Sequence, residues 1–84
     1  MLMNTNDQKN VIVYSTPTCP YCVMAKEFFT KEGVAFEDVD VSRDHGRAVE
    51  MVRKSGQMGV PVIDIGGQIV VGFRPDVFRQ LLVA

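Results

Sequence analysis

The chain has 84 residues, of which 46% are hydrophobic and 23% charged, with 9 basic residues against 10 acidic ones and a formal net charge of −1. That length holds one domain, able to bury roughly 60 to 65% of the surface its unfolded chain exposes, and no second domain fits. The balanced charge excludes both a nucleic-acid footprint and an acidic tail, and no apolar run approaches membrane-spanning length.

Residues 1–10, MLMNTNDQKN, read as a polar leader before a single domain over 11–84. They lack the charged start, apolar stretch and cleavage site of a secretory signal, so a cytoplasmic location is expected. VIVYS, residues 11–15, is a short β-branched and aromatic run whose nearly continuous apolar character suits a strand covered on both faces. From Pro20 the spacing becomes helical. Cys22, Ala25, Phe28 and Phe29 recur three and four apart, Lys26, Glu27 and Lys31 can point to water, and Gly33 ends the helix.

VAFEDVDV, residues 34–41, is expected as a second strand, with Val34 and Phe36, then Val39 and Val41, set among acidic residues and a phase shift near Glu37 and Asp38. Ser42 is the expected N-cap of a second helix with Asp44 in its first turn, Ala48, Met51 and Val52 as its buried stripe, and its end at Gly56. Gly46 weakens that helix by up to ~1 kcal/mol relative to alanine. Residues 60–73 hold two β-rich runs around Gly66 and Gly67, the pairing of a tight hairpin. Pro75 suits the first position of a last helix with Val77, Phe78, Leu81 and Leu82 on its inner face. The expected order is β-α-β-α-β-β-α, an α/β domain without internal repeat or linker.

Both cysteines lie in STPTCPYC, residues 15–22. A strand leads directly into them, so Cys19 falls at the start of the first helix and Pro20 in its first turn. The unpaired N–H groups and the positive end of the helix dipole favour a thiolate there, which makes Cys19 the candidate nucleophile. Cys22, one turn further in on a face continuous with Ala25 and Phe29, is expected to be less exposed and less ionised. Residues so placed have Cα atoms within disulfide range, about 5 to 6 Å. In a reducing compartment such a pair is catalytic, redox-sensing or metal-binding rather than structural. Zinc needs two further ligands, and the chain offers one histidine and no third cysteine. His45 reads as a solvated helix residue, and Met1, Met3, Met24, Met51 and Met58 are scattered rather than banded on one face. A C-x-x-C beside a βαβ pattern is a thioredoxin-like redox motif.

YSTPTCPYC, then GVPVI, then GG resembles the glutaredoxins, small members of the thioredoxin fold, over about Val11 to Leu82. The resemblance implies a four-stranded mixed sheet flanked by three helices, with the Cys19/Cys22 dithiol at the tip of the first helix and Pro61, after a cis Val60–Pro61 bond, facing it. It implies that Val60 offers its backbone to the peptide part of a thiol substrate as though adding a strand. Thr16, Pro20, Tyr21, Val60, Pro61, Gly72, Phe73, Arg74 and Asp76 form the implied substrate-binding set, with no metal. Glutaredoxins that use glutathione usually carry a lysine where this chain has Thr16, and a G-G-x-D-D stretch where it has Val71-Gly72-Phe73-Arg74-Pro75-Asp76. Position 59, commonly threonine, is Gly59. G-F-R-P-D is instead similar to redoxins that supply ribonucleotide reductase and are recharged by thioredoxin reductase, although those usually lack C-P-Y-C.

The resulting expectation is a monomeric disulfide reductase acting on disulfide-containing proteins or glutathione mixed disulfides. No cofactor is tightly bound, and glutathione (a candidate co-substrate) or thioredoxin reductase is the electron donor. Asp76 and the N-terminus of the last helix remain able to bind charged end groups. The alternatives are a glutathione-dependent dimer holding a [2Fe-2S] cluster, which a colourless protein would exclude, and a redox sensor without turnover.

Overall fold

A computed structural model describes residues 9–83. The elements follow the expected order: β1 (Val11–Ser15), α1 (Pro20–Lys31), β2 (Glu37–Asp40), α2 (His45–Ser55), β3 (Val62–Ile65), β4 (Gln68–Val71) and α3 (Pro75–Val83). They build one four-stranded mixed sheet in the order β2-β1-β3-β4, with β1 parallel to β2 and the other two pairings antiparallel. Residues 1–8 of the expected leader lie outside the described residues. Lys9 and Asn10 are bonded to the domain, Lys9 Nζ donating to the Leu81 carbonyl (2.7 Å) and the Asn10 carbonyl accepting from the Gly66 N–H (2.8 Å).

Helices cover both faces of the sheet, and the strand periodicity divides the apolar residues between two cores. Val11 and Val13 of β1, Ile63 and Ile65 of β3 and Val70 of β4 face α1 and α3, where Ala25, Phe28, Phe29 and Phe78 are buried with them. Phe78 is closed from solvent, with the rings of Phe28 and Phe29 at centroid distances of 5.5 and 5.1 Å. The alternate residues, Tyr14, Val39 and Val62, pack on the other face with Met51 and Val52 of α2. Among the described residues no helix is long and apolar enough to cross a membrane.

Two expected boundaries move. The second strand is Glu37–Asp40 rather than 34–41, its pairing with β1 running from Ile12, opposite Glu37, to Ser15, opposite Asp40. The Val34 N–H instead bonds back to the Phe29 carbonyl at the end of α1 (2.9 Å). Val34 and Phe36 join the first core and Val39 and Val41 the second, so the shift of phase marks the point where the apolar side chains change faces. The N-cap of α2 is Asp44, not Ser42. The Asp44 carboxylate accepts from the Arg47 N–H at 3.1 Å, whereas the Ser42 N–H and hydroxyl both turn back to Asp40 Oδ1.

Gly66 and Gly67 have φ of 57° and 94°, the left-handed pair that a two-residue hairpin between β3 and β4 requires. A network of charges ties α2 to the sheet. Lys54 Nζ lies 2.7 Å from Asp64 Oδ2 on β3 and 2.8 Å from the Tyr14 hydroxyl on β1, and Tyr14 donates to Glu50. Arg47 reaches Glu37 on β2 at 2.8 Å.

Candidate active site

The dithiol sits where β1 passes into α1. Thr16 to Thr18 form the turn, the Cys19 N–H bonds to the Thr16 carbonyl (3.3 Å), and Cys19 then adopts the extended backbone of an N-cap with φ −99° and ψ 109°. Pro20 follows in the first turn, where its missing N–H leaves no bond unmade. The N-cap acceptor is the Cys19 sulfur itself: the Cys22 N–H donates to Sγ at 3.1 Å. One of the backbone donors of the helix N-terminus, the Cys22 N–H, is therefore aimed at this sulfur.

The two thiols, both unpaired, differ in access. Cys19 is half-buried, and Cys22 is closed from solvent on the inner face of α1 with Ala25 and Phe29. Burial pushes the Cys22 thiol up to about 12 and its contact with Cys19 adds to the rise, while the Thr16 backbone and the Lys26 ammonium act in the opposite direction. Lys26 does not simply point to water, as its spacing implied. Its side chain is 26% exposed and its ammonium lies 3.1 Å from Asp38 Oδ2, whose other oxygen accepts from the buried Ser15 hydroxyl at 2.9 Å. Position i+4 from Cys22, together with the acidic run of β2, was the available signal for that pairing.

The loop after α2 faces the dithiol. The Val60–Pro61 bond is cis, and the Val60 carbonyl oxygen stands 3.9 Å from Cys19 Sγ although the residues are 41 positions apart. Pro61 is buried, and its carbonyl accepts from the Gly72 N–H at 2.8 Å, which joins the end of β4 to the same loop. Cys19, Cys22, Val60 and Pro61 thus form one constellation with Gly72 beside it. Tyr21 is 60% exposed and Pro20 is exposed next to the sulfur, while Thr16 is half-buried beneath the turn. Phe73 turns partly inward, its ring 6.1 Å from that of Phe78, whereas Arg74 and Asp76 are exposed at the start of α3. Among the described residues no group of three or more His, Cys, Asp or Glu is placed to hold a metal ion.

The glutaredoxin family model matches residues 11–70. An uncharacterized glutaredoxin-like 8.6 kDa protein of the rubredoxin operon of Clostridium pasteurianum is 49% identical over 70 residues, covering 83% of this chain and 93% of its own. The glutaredoxin of Archaeoglobus fulgidus superposes with a TM-score of 0.83 at 26% identity, covering 98% of this chain and 97% of its own. The glutaredoxin-like NrdH-redoxin of Escherichia coli, described by a thioredoxin-like activity profile, superposes with a TM-score of 0.74 at 30% identity, covering 86% of this chain and 93% of its own. This chain belongs to the glutaredoxin family, with the thiol–disulfide oxidoreductase role and the thioredoxin-like fold of that family.

Proposed function

We propose that the chain reduces protein disulfides or mixed disulfides through Cys19 and Cys22, by way of a mixed disulfide on Cys19. The observation that carries this reading is the asymmetry of the pair: Cys19 is only half-buried and its Sγ accepts from the Cys22 N–H at 3.1 Å, while Cys22 is closed from solvent. The Cys19 thiolate attacks one sulfur of the substrate. A Cys19–S bond forms, the substrate S–S bond breaks, and the departing thiolate takes a proton from water. Cys22 then loses its proton and attacks Cys19 Sγ, forming the Cys19–Cys22 disulfide and releasing the second substrate thiol. Two electrons have passed from the dithiol to the substrate, and an external donor of two electrons must restore it. Val60 presents backbone rather than side chain to the substrate beside the sulfur, which fits many peptide sequences.

For the donor, the reading is thioredoxin reductase with NADPH rather than glutathione. Thr16 brings no charge to the motif, and Phe73-Arg74-Pro75 stands where the resemblance implies an acidic pair. Each charge-assisted bond to a glutathione end group is worth about 1.5 to 3 kcal/mol when well formed. The likeness to the NrdH-redoxin of Escherichia coli and its thioredoxin-like activity profile supports this choice. The exposed Arg74 then belongs to the docking surface.

The test of the reaction is steady-state reduction of oxidised insulin by wild type and Cys19→Ser, with dithiothreitol as reductant. Wild type should turn over and Cys19→Ser should match the uncatalysed rate. Equal activity of the two proteins overturns the reading.

A further inference from the structure

Between α2 and the cis-proline loop, the Gln57 side chain holds both main-chain polar groups of one residue. Gln57 Oε1 accepts from the Gly59 N–H at 2.7 Å, and Gln57 Nε2 donates to the Gly59 carbonyl at 3.0 Å. The second hydrogen of that amide reaches Ser55 Oγ at 3.2 Å, and Ser55 Oγ lies 2.8 Å from the carbonyl of the buried Met51 in α2. A continuous run of hydrogen bonds therefore leads from the core side of α2 to Gly59, the neighbour of Val60, whose carbonyl faces Cys19 Sγ.

Gly59 is the residue this arrangement needs. A Cβ added there would stand 2.9 Å from Gln57 Oε1, closer than such atoms approach, and, chain neighbours aside, the only other heavy atom within 4 Å among the described residues is Gln57 Cδ. Any side chain at 59 displaces the carboxamide, and without the carboxamide no other described residue beyond the chain neighbours stands within 4 Å of its Cβ. The two positions form a matched pair.

We infer that Gln57 is a positioning residue for peptide substrates, its carboxamide clamping Gly59 so that the loop presents the Val60 backbone beside Cys19 in one geometry. Because the single N–H of Gly59 is already donated to Gln57, the neighbouring Val60 is left to offer a main-chain donor to an incoming peptide. A disulfide without peptide groups gains nothing from the clamp. The inference rests on the proposed roles of Cys19 and Val60.

The test uses the reduced protein in single turnover, followed by stopped flow, with oxidised insulin and with 5,5′-dithiobis(2-nitrobenzoic acid), an aromatic disulfide without peptide groups. Gln57→Ala and Gly59→Ala should each slow insulin reduction roughly three- to tenfold, the size of one or two lost ordering hydrogen bonds, and leave the aromatic disulfide within about twofold. Adding Gly59→Ala to Gln57→Ala should cost nothing further, since the partner it collides with is gone. The inference is overturned if Gln57→Ala leaves insulin reduction unchanged, or slows both disulfides alike, or if Gly59→Ala costs as much in the Gln57→Ala background as in wild type. A wild type that reduces neither disulfide would instead defeat the proposed function.

Discussion

The Gly72 N–H donates to the Pro61 carbonyl across 2.8 Å, which ties the end of β4 to the cis-proline loop beside the dithiol. Phe73, Arg74 and Pro75 follow Gly72 directly and lead into α3, so the proposed docking corner is continuous along the chain with the residue bonded to Pro61.

The proposed choice of reductant is tested at that corner. With one disulfide substrate and each donor system supplied separately, thioredoxin reductase with NADPH should sustain faster turnover than glutathione with glutathione reductase. Arg74→Glu should weaken the first system at least ~threefold, the effect of reversing one charge at a docking surface. A glutathione system faster by about tenfold, some 1.4 kcal/mol of barrier, would show an ordinary dithiol glutaredoxin.

The sealed Cys22 thiol has a signature in pH. In Cys19→Ser, alkylation of Cys22 by iodoacetamide at pH 8 should be at least ~tenfold slower in the folded protein than in urea, because the fold withholds both access and ionisation. The fold keeps the Cys22 proton longer than the unfolded chain does. Its contribution to the stability of the reduced form is thus full below the ordinary thiol range and is lost as the pH rises toward about 12. Rapid alkylation of folded Cys19→Ser at pH 8 contradicts this burial.

Asp64 is 7% exposed and meets Lys54 Nζ at 2.7 Å and the Gly67 N–H at 2.8 Å. Burial works against the Lys54 charge, but hydrogen bonds with Asp64 and Tyr14 more than offset it, so Lys54 titrates above the ordinary lysine range. Lys54→Ala leaves a buried carboxylate with one backbone donor and should cost about 1 to 3 kcal/mol in urea denaturation. A loss below ~0.5 kcal/mol would mean that water replaces the lysine at no cost.

Acid should loosen α2. Hydrogen bonding from Arg47 holds Glu37 below the usual carboxylate range, and the Tyr14 hydroxyl, followed by the charges of Arg47 and Lys54, does the same for Glu50. Groups with lowered folded-state values contribute fully above the usual carboxylate range and lose that contribution as the pH falls through the lowered one. The urea midpoint of wild type should therefore drop more between about pH 6 and pH 3 than that of Arg47→Ala. Equal drops would remove these pairs from the account.

The features legible in the sequence are those set by neighbours along the chain. Cys19 at the start of the first helix, Pro20 in its first turn, the stripe from Cys22 to Phe29 and the Gly66–Gly67 turn each depend on a few adjacent residues, and each stands as read. The errors came from competition at close range. Ser42 and Asp44 are both capping residues, and Asp40 captured the first. Val34 and Phe36 are as apolar as Val39 and Val41, but the β1 pairing takes in only Glu37–Asp40, and the Val34 N–H turns back to α1. Long-range parts of the site were not readable from spacing. Val60 and Pro61 came from resemblance, and Gln57 carried no pattern at all, because its partner is the backbone of a glycine two residues on.

The central claim is that Cys19 attacks and Cys22 resolves. Its most direct measurement is intact-mass analysis of each single cysteine variant after reaction with one equivalent of a peptide disulfide, without added reductant. Cys22→Ser should accumulate a stable adduct of one peptide through Cys19, since no second thiol remains to release it, and Cys19→Ser should remain unmodified. An adduct on Cys22 in Cys19→Ser, with none on Cys22→Ser, would reverse the two roles and contradict the account.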